Sequence, residues 1–78
     1  MIKILLFAEL SEQAQSGELF IEAEGKSIAA FKDLLQKSYP ELTISEATMI
    51  AVNEEYAEDN YLIQKEDVIA LIPPVSGG

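Results

Sequence analysis

The residues in this chain with types and spacing suited to chemistry stand at its end. Pro73-Pro74-Val75-Ser76-Gly77-Gly78 follows directly on a strand-like run, Val68-Ile69-Ala70-Leu71-Ile72. Two prolines fix φ near about −65° and withhold their N–H groups, so a sheet cannot continue through them. Pre-proline sterics hold Ile72 and Pro73 extended, which predicts a stiff, straight exit from the sheet. Two residues without a Cβ then lead to a free carboxylate at Gly78. Little bulk surrounds that last carbonyl, so such a terminus can enter a narrow channel and be modified there by another protein. A carboxylate is a poor electrophile until it becomes an acyl-adenylate or a similar anhydride; once activated it accepts sulfur or an amine. The plain alternative is a frayed end of small residues. A frayed end has no need of Pro73-Pro74 to aim it.

Nothing inside the chain competes with that terminus. There is no cysteine, which excludes disulfides, a thiolate nucleophile and a zinc-thiolate site. There is no histidine, the commonest general base and transition-metal ligand. The acidic pairs Glu54-Glu55, Glu58-Asp59 and Glu66-Asp67 all lie beside turn signals and read as solvated faces. Gly17 and Gly25 stand alone and form no phosphate-cradling loop. The chemistry is expected at the tail, performed in another protein's active site.

Seventy-eight residues, 49% of them hydrophobic, make one domain with a single core and no staples. Fourteen acidic side chains against five lysines and no arginine give a net charge of −9. A chain so acidic is not a nucleic-acid binder, because phosphate contacts need a basic surface. The charge serves solubility and suits a partner with basic patches. The apolar opening Ile2–Phe7 is too short for a signal peptide, and a membrane span needs about 20 residues. The chain reads as soluble, unprocessed and cytoplasmic.

The elements that position the tail follow from the apolar pattern. Ile2 to Phe7 reads as a strand with Ile2, Ile4 and Leu6 on one face and Lys3, Leu5 and Phe7 on the other. Apolar residues on both faces suggest a central strand. Ala8 to Ala14 predicts a short helix ending before Ser16-Gly17, and Glu18 to Glu22 a second strand, antiparallel to the first. After a turn at Gly25-Lys26, Ser27 is placed to cap the main helix, about 27–39. Its stripe of Ile28, Phe31, Leu34, Leu35 and Tyr39 must bury against the strands, and Pro40 ends it. Strands are expected at Thr48 to Asn53, briefly around Tyr56-Ala57, and at Val68 to Ile72. A turn falls at Asn53 to Tyr56 and a polar loop at Gln64 to Asp67. The order allows the last strand to lie parallel beside the first. This predicts an α+β fold, a ubiquitin-like β-grasp, with a mixed sheet of about five strands and one main helix across it. Residues 1–72 form the domain and 73–78 an extended tail. The second sheet face, with Leu5, Phe7 and one register of the last strand, is the candidate docking surface unless a loop or the short helix covers it.

The opening Ile2-Lys3-Ile4-Leu5-Leu6-Phe7-Ala8, the segment Ala51-Val52-Asn53 and the ending Asp67 to Gly78, above all Pro-Pro-Val-Ser-Gly-Gly, resemble the small subunit of molybdopterin synthase over essentially the whole chain. The resemblance implies a sulfur carrier for molybdenum cofactor biosynthesis. An E1-like adenylyltransferase would use ATP to adenylate Gly78, next to Gly77, and the terminus would become a thiocarboxylate. The tail would then enter the large synthase subunit and give sulfur to cyclic pyranopterin monophosphate. Two large subunits at the centre and one small subunit at each end make a heterotetramer. The small subunit binds no cofactor or metal, and the catalytic site is expected on the large one. Phe7 falls at an aromatic position of the family's partner-facing strand, and Ile72 stands where some members have an aromatic residue. Leu5, Phe7, Leu71, Ile72, Pro73, Pro74, Val75 and Ser76 are the expected partner contacts. Alternation puts Leu71 and Ile72 on opposite faces and leaves open which one faces outward. Other readings are a thiamine-pathway sulfur carrier, whose chains are usually shorter and lack Pro-Pro-Val, a modifier conjugated to lysines, and an acidic interaction module with an inert tail.

Overall fold

The computed structural model describes residues 1–74. In order, the elements are β1 (Ile2–Leu6), α1 (Glu9–Ala14), β2 (Glu18–Ile21), α2 (Ile28–Ser38), β3 (Met49–Val52), β4 (Glu55–Tyr56) and β5 (Val68–Ile72). They form a five-stranded mixed sheet in the order β2-β1-β5-β3-β4. The first and last strands pair in parallel at the centre, with Ile4 opposite Ile69 and Leu6 opposite Leu71. The β1–β2, β3–β5 and β3–β4 pairs are antiparallel. The mixed sheet and its central parallel pair match the sequence expectation.

Strand alternation gives the sheet two different faces. Ile2, Ile4, Leu6, Ile50, Val52, Ile69 and Leu71 point to one side and are buried there. The α2 side chains Ile28, Phe31 and Leu35 close that side, joined by Leu10 of α1 and by Leu42 and Ile63 from loops. Leu34 and Tyr39, the remainder of the expected stripe, pack at its margin. Fully burying an aliphatic or aromatic side chain of this size stabilises by about 1.5–3 kcal/mol relative to exposure. No other element has an apolar face wide enough to satisfy the sheet.

Ser27 caps α2 as its sequence position predicts, its Oγ accepting from the Ala30 N–H at 3.2 Å. The N–H groups of Ile28 and Ala29 donate to the carbonyls of Tyr61 and Asp59. The helix start is therefore satisfied by the long loop ahead of β5 as well as by its own cap. At the other end Gln36 Nε2 donates to the Leu42 carbonyl at 2.7 Å, tying the helix to the chain that follows it. The expected and observed boundaries differ by no more than one residue at either end. Only β4 is displaced as a whole, one residue earlier than expected, because the two-residue turn Asn53-Glu54 fixes Val52 opposite Glu55.

One expectation is overturned. Asp67 is not part of a solvated acidic pair; it is 6% exposed. Its carboxylate accepts from Asn53 Nδ2 at 2.9 Å, the Tyr61 hydroxyl at 2.8 Å and the Gln64 N–H at 2.8 Å. Asn53 in turn exchanges bonds with Val68, its Oδ1 accepting and its N–H donating. Asp67 thus joins the β3–β4 turn, the long loop and the start of β5. Burial pushes the Asp67 carboxyl up, but the hydrogen bonds from Gln64, Tyr61 and Asn53 outweigh it and hold the group below its ordinary value. The Tyr61 phenol is raised, first by donating to Asp67 and then by burial.

A carboxyl with a lowered folded pKa contributes stability that is complete above the unfolded aspartate value. That contribution is lost as pH falls through the folded value beneath it. Asp67→Ala should therefore destabilise the protein by about 2–3 kcal/mol near neutral pH. In urea unfolding at a series of pH values, its deficit against wild type should shrink below about pH 4. A deficit unchanged down the acid limb would contradict this role.

Candidate functional site

The expected tail leaves the sheet where β5 ends. Ile72, still opposite Met49 of β3, is half-buried; Pro73 is buried and Pro74 exposed. Val75, Ser76, Gly77 and Gly78, which carry the expected chemistry, lie outside the described residues. Pro73 belongs with the body in packing terms, since it continues the buried register of Ile69 and Leu71. The Pro73 ring is therefore not open to a partner, whereas Pro74 is.

The sheet face opposite α2 is apolar, and no described element lies across it. Its centre is Leu5 of β1 with Val68 and Ala70 of β5, all half-buried. Phe7 continues β1 and is 47% exposed, and Met49 on the other side of β5 is 46% exposed. The tail therefore emerges between two uncovered apolar side chains. The face extends outward to Phe20, opposite Lys3, and to Tyr56, opposite Ala51. Lys3 and Glu18 form an ion pair at 3.2 Å within it. The short helix does not cover this face, because its Leu10 is wholly buried in the core on the other side. Phe7 is thus exposed and Leu5 half-buried, with neither covered by the short helix. An apolar area this continuous beside the expected tail is a candidate interaction surface.

Two expectations about β5 are separated by its alternation. Ile72 shares the outer face with Ala70, whereas Leu71 is fully buried against Leu6 and the core. Leu71 is corrected from partner contact to core residue. Sequence reading missed Phe20, Met49 and Tyr56. Phe20 was hidden by apolar neighbours on both sides, Leu19 and Ile21, which blur the two-residue period. Its place opposite Lys3 is the signal that identifies it.

The outer face also has a hollow. Leu5, Phe7, Val68 and Ala70 floor an open concavity of about 500 Å³ whose rim carries Asn53 and Glu54. Elsewhere the acidic residues make no constellation. Glu54, Glu55, Glu58 and Glu66 are exposed, and Asp59 pairs with Lys32 at 3.1 Å. Among the described residues no group of three acidic side chains is placed to hold a metal ion. None of them is shared by a base, a nucleophile and an orienting group.

Comparison with known proteins agrees with this picture. The model of the ThiS family matches residues 4–78. The molybdopterin synthase sulfur carrier subunit of Dictyostelium discoideum is 37% identical over 81 residues, covering 97% of this chain and 94% of that protein. Among solved structures, the small archaeal modifier protein 1 of Methanosarcina acetivorans superposes with a TM-score of 0.80 at 26% identity, covering 99% of this chain and 95% of that one. Subunits 1 and 2 of the molybdopterin-converting factor of Helicobacter pylori are solved as a complex. A chain of it superposes with a TM-score of 0.70 at 24% identity, over 99% of this chain and 97% of that one. These neighbours identify the fold as the ubiquitin-like β-grasp.

The two sides of the sheet should respond oppositely to charge. Phe7→Asp should keep its fold, with a stability change within about 1 kcal/mol. Leu71→Asp should lose about 4 kcal/mol or more by placing an unpaired carboxylate in the core. Thermal melts followed by circular dichroism compare them, and unfolding by Phe7→Asp would show that its face is core.

Proposed function

The chain belongs to the ThiS family, and from that premise we propose that it is the sulfur carrier subunit of a molybdopterin synthase, working through the carboxylate of Gly78. The observation that carries the reading is the uncovered apolar face surrounding the exit of the tail, on a body without a reactive side chain of its own. Its relative at 37% identity has that name and role.

In this reading the tail and the body divide the work. An E1-like adenylyltransferase binds the outer face and receives the terminus. The Gly78 carboxylate attacks the α-phosphate of ATP, pyrophosphate leaves, and the acyl-adenylate forms. A sulfur nucleophile displaces AMP, and the terminus becomes a thiocarboxylate. Glycine at 77 and 78 removes the side chains that would obstruct either active site. The large synthase subunit then takes up the tail, and each thiocarboxylate supplies one sulfur atom to cyclic pyranopterin monophosphate and returns to the carboxylate, so that two loaded chains are consumed in forming the dithiolene of molybdopterin. Leu5, Phe7, Ile72 and Pro74, with Val75 and Ser76 ahead of the glycines, make the docking contacts. Burial of this apolar area positions the terminus before chemistry begins. The assembly is a heterotetramer with the large subunits at its centre, and its setting is the cytoplasm. Among the described residues no helix is long and apolar enough to cross a membrane. A chain of the same fold occurs in the Helicobacter pylori complex of subunits 1 and 2 of the molybdopterin-converting factor.

The likeness to an archaeal modifier at 26% identity favours one second reading, in which the adenylated Gly78 is transferred to lysines as an isopeptide. Both readings share the activation step and differ in the acceptor. Covalent conjugates in cell extracts, removed by deleting Gly78, would favour the modifier.

Reconstitution separates them. Thiocarboxylated protein, large subunit and cyclic pyranopterin monophosphate should yield molybdopterin, and a chain lacking Gly78 should yield none while melting at an unchanged temperature. Product formation by the truncated chain would contradict the assignment.

A further inference from the structure

The turn between β3 and β4 holds two consecutive residues in the left-handed region, Asn53 at φ 51° and Glu54 at φ 73°. A two-residue hairpin loop of this hand favours asparagine at the first position and glycine at the second. Asn53 suits its place and is fixed there by its bonds with Asp67 and Val68. Glu54 does not: it stands where glycine would be unstrained, and its side chain makes no ion pair among the described residues. Positive φ also occurs at Ala8, Gln15 and Glu66, but strain of this kind clusters at functional sites, and Glu54 alone of the four lines the outer hollow.

The surroundings of Glu54 indicate the task. With Asn53 it forms the polar rim of the hollow on the outer sheet face, whose floor is Leu5, Phe7, Val68 and Ala70. An apolar floor beside one exposed carboxylate matches a side chain with a long aliphatic stem and a cationic head. This chain has no arginine and a net charge of −9, so a second copy would be repelled and a basic partner attracted.

We propose that Glu54 is a specificity-determining residue of the docking face, and that the hollow receives an arginine or lysine of the large synthase subunit. The stem crosses Leu5, Val68 and Ala70, and the head pairs with the Glu54 carboxylate. Asp67 acts through Asn53 as a positioning residue for this rim. The inference rests on the reading of the chain as a carrier that docks through this face.

The test is calorimetric titration of the cognate large subunit with wild type, Glu54→Gln, Glu54→Lys and Glu54→Gly, at about 0.05 M and about 0.5 M salt. At low salt Glu54→Gln should bind about fivefold more weakly and Glu54→Lys at least about tenfold, with the differences reduced at high salt. Glu54→Gly should melt at a higher temperature than wild type, its turn relieved, yet bind as weakly as Glu54→Gln. That combination separates charge from strain. Equal binding by wild type, Glu54→Gln and Glu54→Lys at low salt would overturn the role of Glu54 and leave the carrier reading intact. Failure of wild type itself to bind the large subunit would overturn both.

Discussion

The parallel pairing of β1 with β5 is the constraint on which the rest of this molecule depends. It ties the opening residues of the chain to the strand from which the tail departs. Because both strands are central and alternate strictly, a single register sends Ile4, Leu6, Ile69 and Leu71 to the core and Leu5, Val68, Ala70 and Ile72 to the outer face. A slip of one residue would exchange the two sets. The same pairing therefore specifies the hydrophobic core, the composition of the outer face and the point where the tail emerges. Parallel neighbours need a long crossover, and the chain between β1 and β5 supplies the rest of the domain on the way.

A second device holds the sheet end opposite the tail. Asp67 is buried, hydrogen-bonded from three directions, and placed between the β3–β4 turn and the start of β5. The long loop it anchors also satisfies the first N–H groups of α2. Turn, loop, helix start and last strand are thus coupled through one carboxylate. That coupling keeps the rim of the outer hollow in place without a covalent link, in a chain with no cysteine to provide one. In the proposed carrier role, that rigidity would hold the terminus at a defined distance from the outer face.

Most of the architecture was legible in the sequence because its signals were local and strong. The stripe Ile28-Phe31-Leu35, the cap at Ser27 and the prolines at 40, 73 and 74 each act through their immediate neighbours. The tail motif was legible for the same reason. What escaped were properties that depend on partners distant in the chain. Asp67 looked like one more acid beside a turn until Asn53, fourteen residues earlier, and Tyr61 were brought to it. Leu71 and Ile72 differ only in which side of β5 they occupy, and two adjacent apolar residues carry no information on that. Phe20 was concealed in an apolar run, and the strain at Glu54 is a backbone property that no residue type announces. The glycines themselves lie outside the described residues, so their role rests on motif, family and the geometry of the exit.

The central claim is that the protein exists to carry sulfur on its terminal carboxylate. Its most direct test is the intact mass of the full chain after incubation with ATP, a sulfur donor and the cognate adenylyltransferase. The expected result is a gain equal to one oxygen replaced by one sulfur, confined on fragmentation to the peptide ending at Gly78. An unchanged mass, with an enzyme shown to be active on its own carrier, would contradict the claim and leave only the fold.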